Sequence, residues 1–299
     1  LNQRRRRFPP KKSSQLSTSN GFVNMPECLS NRYRSGVPMP SHFLELPHAS
    51  LEYARSGTPL NDTLTYVFLH EGLGCVELWK GFPERLAETL GREAILYSRQ
   101  GYGRSSRLSL PRAPDYLENQ GCLELRLVLD ALELEDIVLV GHSDGATIAL
   151  AYAAQFSDPR IRGVVAMAPH VFAEDRCIEA IRATTRRFEQ GDLRQRLERY
   201  HGDNVDGAFH GWSDTWLSPA FSDWDITSLL SGIEVPLLLI QGEDDEYASS
   251  KHVELVRQHA KASCQTVWLP QCGHVPYFER QQDTLLSILT FAHTIGTAT

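Results

Sequence analysis

From residue 43 onward the apolar positions fall into short runs whose period alternates in a regular order. Phe43-Leu44-Glu45-Leu46 and Leu51-Glu52-Tyr53-Ala54 have the character of a short antiparallel strand pair. Thr65-Tyr66-Val67-Phe68-Leu69 is a continuous apolar run of strand length, as expected where a sheet is covered on both faces. A helical stretch is expected from Glu77 to Leu90, then a strand at Ala94-Ile95-Leu96-Tyr97. Cys122, Leu125, Leu129 and Leu132 recur at 3-4-3 spacing, one apolar face of a helix. Ile137-Val138-Leu139-Val140, a small-residue helix from Ala146 to Ala154 and a strand over 161–168 follow. Strands alternating with helices at this spacing predict an α/β fold with a parallel sheet.

The rhythm breaks between His170 and Gly232. This stretch holds helical pieces between Cys177 and Tyr200 and a Gly/Trp/Asp-rich region with Trp212, Trp216 and Trp224. It then resumes with a strand over 235–240, a helix near 250–260, a strand over 265–269 and a last helix from about 280 to 294. Some sixty residues are too many for a plain loop, so the insertion should be structured, as a cap over the carboxyl edge of the sheet. The expected organisation is a core of 41–169 and 233–299, a helical cap of 170–232 and a tail of 1–40.

Gly141-His142-Ser143-Asp144-Gly145 lies between the strand at 137–140 and the helix that follows it. Strand, G-x-S-x-G turn and helix in that order form a nucleophile elbow, which lifts Ser143 Oγ above the sheet. A serine hydroxyl needs a base oriented by a third group. Asp245, ending Gln241-Gly242-Glu243-Asp244-Asp245, and His274, in Gly273-His274-Val275-Pro276, both follow strands and should reach the same edge as Ser143. Asp244 competes with Asp245; the Gly242-x-x-Asp245 offset, which matches the pattern of the family resembled below, favours Asp245. Leu69-His70-Glu71-Gly72-Leu73-Gly74 follows the third strand and supplies a candidate oxyanion donor, the Gly72 N–H, beside the Asp144 N–H.

These marks, with the turn Ser98-Arg99-Gln100-Gly101-Tyr102-Gly103-Arg104-Ser105, resemble the α/β-hydrolase superfamily, in its capped esterase-like branch. The resemblance runs from about Phe43 to the C-terminus. It implies a mostly parallel eight-stranded sheet flanked by helices, with the cap inserted before the penultimate strands. It also implies a serine hydrolase acting on a small carboxylic ester or related acyl bond through Ser143, His274 and Asp245, with no cofactor and no metal. Two positions depart from the pattern: Glu71 stands where many relatives have Gly, and Ser98 where the turn usually begins with Asp. The Ser-Asp-Gly elbow is similar to that of the valacyclovir-hydrolase group, so Asp144 is read either as greeting a cationic amine or as capping its helix. Glu71, Trp79, His142 and Trp216 are candidate substrate contacts, with Trp212 and Trp224 as further walls of an apolar pocket. Two other readings share these motifs: a carbon–carbon bond hydrolase of a dienoate-type product, served by Arg182, Arg186 and Arg187, and a ligand-binding protein without turnover.

Charge narrows the partners. Residues 1–26 carry six Lys/Arg and no acid, so the +6 of this head within a total of −7 leaves about −13 on the rest. An acidic body argues against nucleic acid, and no apolar run approaches a membrane span. The head has no hydrophobic period and no apolar segment of a secretory signal, so a disordered tail is expected. The six cysteines lie far apart with no C-x-x-C pair, as in a cytoplasmic enzyme with reduced thiols and a small-molecule substrate.

Overall fold

The structure is a computed structural model that describes residues 41–57 and 64–296; the expected tail lies outside the described residues. Eight strands form one sheet in the order β1-β2-β4-β3-β5-β6-β7-β8. β1 (His42–Leu46), β2 (Ala49–Ser56) and β4 (Glu93–Tyr97) pair antiparallel at one edge. β3 (Leu64–Leu69), β5 (Asp136–His142), β6 (Ile161–Met167), β7 (Leu237–Gly242) and β8 (Cys264–Leu269) run parallel with β4. The central runs are wholly apolar because each face of the sheet has its own core. Val67, Leu139, Val164 and Leu239 point into one cluster, while Phe68, Val140, Val165 and Ile240 point into the other.

The helices are α1 (Phe82–Leu90), α2 (Cys122–Ala131), α3 (Asp144–Gln155), α4 (Asp175–Gln190), α5 (Leu193–His201), α6 (Val205–Trp216), α7 (Ser250–His259), α8 (Pro276–Glu279) and α9 (Gln281–Gly296). Helices α4 to α6 occupy the break in the rhythm, between β6 and β7. One local expectation is corrected. The single helix expected over 77–90 is a 3-10 turn, Val76–Trp79, and then α1, because Lys80 and Gly81 both turn to positive φ between them. The first part of the Gly/Trp/Asp-rich region is the helix α6, in spite of Gly207 and Gly211. Val205, Ala208, Phe209, Trp212 and Trp216 recur at helical spacing and are buried, and that burial outweighs the low helix propensity of glycine.

Among the described residues no helix is long and apolar enough to cross a membrane. The five described cysteines, Cys75, Cys122, Cys177, Cys264 and Cys272, carry free thiols.

Candidate active site

Ser143 sits between the end of β5 and the start of α3, with φ 53° and ψ −119°. A non-glycine residue there is strained by about 1–3 kcal/mol and persists only where its surroundings hold it. They do so here. The Ser143 N–H donates to Met167 O at 2.9 Å, and the flanking glycines let backbone press in from both sides. A Cβ on Gly145 would lie 2.0 Å from Leu69 O, and one on Gly141 2.3 Å from Gly145 O.

The Ser143 hydroxyl donates to His274 Nε2 at 2.9 Å, and His274 Nδ1–H lies 2.9 Å from each carboxylate oxygen of Asp245. Asp245 also accepts the amides of Tyr247 (2.8 Å) and Ala248 (3.0 Å) and the Gln241 side chain (2.6 Å). Burial opposes the Asp245 charge, but the His274 imidazole and the two amides outweigh it and hold the carboxyl at about 2. His274 is the mirror case: burial disfavours its proton, yet Asp245, followed by Glu246 and Glu279, raises its pKa above the ordinary histidine value. Asp244, the competing acid, is exposed and reaches this region only through its amide, bonded to Cys272 O.

Glu279, which the sequence reading did not single out, holds the His274 loop. Its two oxygens accept Gly273 N–H at 2.7 Å and Val275 N–H at 2.9 Å, fixing the backbone on both sides of the imidazole. Glu279 lies five positions after His274, which lets the short helix α8 turn the carboxylate back onto the loop. A lone acid at that offset was the only available signal.

Asp144 begins α3, so its N–H has no acceptor within the helix, and Asp144 and Gly72 both line the space over Ser143. Its carboxylate is not a feature of an open mouth. It is 1% exposed, accepts the Tyr116 hydroxyl at 2.5 Å and lies 4.0 Å from the Arg99 guanidinium. Burial pushes the Asp144 carboxyl up, with Arg99 and Tyr116 opposing. Trp216 Nε1 donates to the same Tyr116 hydroxyl at 3.0 Å, linking the helical insertion to this network. Glu71 lines the same space. Burial raises its carboxyl, but His142, whose Nδ1 lies 3.7 Å away, and Arg99 more than offset this and leave it below the usual value.

The departure at Ser98 has a local answer. Glu52, buried on β2, accepts Ser98 Oγ at 2.9 Å and Arg104 N–H at 3.0 Å, so a neighbouring strand brings a carboxylate to the turn.

The space over Ser143 is lined by Glu71, Gly72, Asp144 and His274 from the core and by Trp212 and Trp216 from α6, with His170, Cys177, Ile181 and Tyr247 completing it. It is nearly filled: the centre of a water-sized sphere has ≈ 10 Å³, about the room for one water molecule. Trp212 lies against Gly72, where a Cβ would be 2.3 Å from its Nε1. Polar contacts hold the insertion down. Arg176 donates to Asp245 O at 2.8 Å, Thr184 and Tyr247 share a hydrogen bond of 2.7 Å, and Asn204 donates to Ser105 O at 2.7 Å.

Two candidate contacts lie elsewhere. Trp79 packs edge-on against Phe68 and beside Tyr277 in the core on the far face of the sheet. His142 lies beneath the site, donating from Nε2 to His274 O at 2.7 Å. Trp224 stacks on Phe221 behind Trp216 instead of lining the space. Alternation explains His142: its neighbour Ser143 rises above the sheet edge, so His142 turns under it.

The model of the alpha/beta hydrolase family matches residues 66–286, and the chain belongs to that family. Among curated proteins it is similar to a (lyso)-N-acylphosphatidylethanolamine lipase of Bos taurus, 26% identical over 161 residues, covering 54% of this chain and 44% of that protein. It is also similar to a bifunctional esterase/perhydrolase of Acinetobacter calcoaceticus, 24% identical over 200 residues, covering 56% of this chain and 71% of that protein. The chain thus spans about half the length of the first of these relatives. Among solved structures, a proline iminopeptidase of Mycobacterium smegmatis superposes with TM-score 0.68 at 18% identity over 87% of this chain and 99% of that one. An enol-lactonase of Burkholderia xenovorans LB400 gives 0.64 at 19% identity over 84% and 100%. At these identities the structural likeness is one of fold.

Proposed function

We propose that this hydrolase cleaves a small carboxylic ester or a related acyl bond through an acyl-enzyme intermediate. The observation that carries the reading is the in-line contact of Ser143 Oγ, His274 and Asp245, with His274 Nε2 free to accept the serine proton. Ser143 Oγ attacks the acyl carbon as its proton passes to His274 Nε2. The carbonyl electrons move onto oxygen, which the Gly72 and Asp144 N–H groups stabilise. The tetrahedral intermediate collapses as the C–O bond to the leaving group breaks and His274 returns the proton to that group. Water then repeats the sequence on the acyl-serine and frees the acid. Asp245 keeps Nδ1 protonated and balances the imidazolium.

The curated relatives whose names include lipase and esterase support acyl chemistry, and no metal or cofactor enters this sequence of steps. The carbon–carbon reading needs a cation for the substrate carboxylate, and Arg182, Arg186 and Arg187 are not among the residues lining the space. The test is Ser143→Ala against p-nitrophenyl esters of several chain lengths, with a fluorophosphonate probe. Turnover should fall at least about 10⁴-fold and labelling should vanish while the melting temperature holds. Turnover by the alanine variant near the wild-type rate overturns the assignment.

A further inference from the structure

The N–H that Gly72 offers to the acyl oxygen is one half of a peptide unit whose other half is held by two buried side chains. β3 and β4 are parallel neighbours, so the segments that follow them, with His70 to Gly74 on one and Ser98 to Ser105 on the other, leave the sheet side by side. The Glu71–Gly72 unit is trans and planar, so its C=O and its N–H point in opposite directions. Its carbonyl accepts Arg99 Nη2–H at 2.8 Å and His70 Nδ1–H at 2.7 Å. The tautomer of His70 is set by the same neighbour: its Nε2 accepts the Arg99 backbone N–H at 3.0 Å, which leaves the ring proton on Nδ1. Both residues are buried, and Tyr102 braces them, with its ring edge-on to His70 and its centre 5.0 Å from the Arg99 guanidinium carbon.

We infer that Arg99 is a positioning residue of the oxyanion site, which fixes the Glu71–Gly72 peptide and strengthens its N–H as a donor. The inference rests on the acyl-transfer reading above, in which Gly72 and Asp144 supply the two N–H groups. A charged donor on the carbonyl polarises the peptide unit, and hydrogen bonds in such a chain reinforce one another. Direction matters as well, since a displacement of about 1 Å at a reacting centre can cost ~10²-fold in rate. The same Nη2 lies 4.0 Å from the Asp144 carboxylate, so one guanidinium stands behind both donor residues. Asp144 in turn gives the buried cation an acidic neighbour, which a charge away from water requires.

The test is Arg99→Gln in the Asp144→Asn background, which removes both members of the buried pair together, and Arg99→Lys alone, which keeps the charge but not the planar fork. Each is measured for kcat and KM on a p-nitrophenyl ester and for inhibition by a matched trifluoromethyl ketone. The ketone oxygen becomes an oxyanion when Ser143 Oγ adds to its carbonyl carbon and the serine proton passes to His274. Sites are counted by exhaustive fluorophosphonate labelling, so that rates refer to folded enzyme. Relative to Asp144→Asn, the double variant should lose about 10- to 100-fold in kcat and a similar factor in ketone affinity, with KM within about threefold. Arg99→Lys should lose about three- to tenfold in both against wild type, and it decides the matter alone where the double variant does not fold. A merely structural Arg99 would lower the melting temperature and leave kcat per labelled site and ketone affinity unchanged. That result overturns the inference, and so does a loss confined to KM. Failure of the acyl-transfer reading is distinct, because the wild type itself would then neither hydrolyse the ester nor bind the ketone.

Discussion

Asp245 and Asp144 lie on either side of Ser143, equally deep, and hold their protons in opposite ways. Asp245 accepts from His274, from two backbone amides and from Gln241, and its carboxyl is drawn down to about 2. Asp144 accepts one phenol and sees Arg99 only at 4.0 Å, and its carboxyl is pushed up. Burial is nearly the same for both, so the number of donors aimed at the carboxylate decides the outcome. The loop after β7 is shaped to keep a charge beside the imidazole. The start of α3 buries an acid whose carboxylate is engaged by Tyr116 and Arg99.

The largest test of this contrast is a pair of amide variants. Asp245→Asn should lower kcat by about 10⁴-fold, because the imidazole loses the group that fixes its tautomer. Asp144→Asn keeps the N–H, so its loss per folded molecule should stay well below the ~10²–10³-fold cost of losing an oxyanion donor. Equal losses would break the comparison.

Acid unfolding probes the same difference through stability. A carboxyl whose folded pKa lies at about 2 against an ordinary 3.8 stabilises the fold above pH 3.8, and that stability is lost as pH falls through about 2. The amount is on the order of 2 kcal/mol. Asp144 has the opposite sign, since a raised folded pKa favours the folded state as the pH falls. The melting-temperature advantage of wild type over Asp245→Asn should therefore shrink between pH 5 and pH 2, whereas no such narrowing is expected for Asp144→Asn.

Glu279 sharpens the picture on the Asp245 side. Glu279→Gln keeps most of the side chain and removes a charge that helps raise the His274 pKa. The acid limb of the kcat/KM profile should move to lower pH by less than about one unit. kcat should fall by about tenfold or less as the His274 loop loosens. A lower rate with an unmoved limb would mean that Glu279 matters only for the loop.

The smallest expected effect concerns substrate charge. Glu71 lines the space over Ser143 with its carboxyl held below the usual value, while Asp144 is engaged behind it. Glu71→Gln should reduce, by a few-fold, the kcat/KM ratio of an amine-bearing ester to a matched neutral ester. Asp144→Asn should leave that ratio alone. Comparing the two ratios at low and high salt checks both statements.

The sheet could be read from the chain because its central strands are buried on both faces, leaving runs such as Thr65–Leu69 with no polar interruption. Ser143, Asp245 and His274 could be read because each follows a strand, and parallel strands deliver their carboxyl ends to one edge. The choice between Asp244 and Asp245 came out of the turn offset, and only one of the two acids is buried against His274. What the pattern does not encode is contact between distant segments. Tyr116 and Arg99 reach Asp144 from separate loops, and His170 enters the site from the end of β6. Trp79 was a candidate wall of an apolar pocket, yet it packs with Phe68 and Tyr277 in the other core. Within the expected helical cap, the bounds of α6 were not given by the pattern; burial of Phe209, Trp212 and Trp216 holds this helix in spite of Gly207 and Gly211.

The near absence of room over Ser143 bears on how this hydrolase meets a reactant. With Trp212 against Gly72 and the Arg176, Thr184 and Asn204 contacts in place, little open volume remains over Ser143. The insertion thus forms the roof of the site, and the shape offered to a reactant is set by Trp212 and Trp216 as much as by the elbow beneath them.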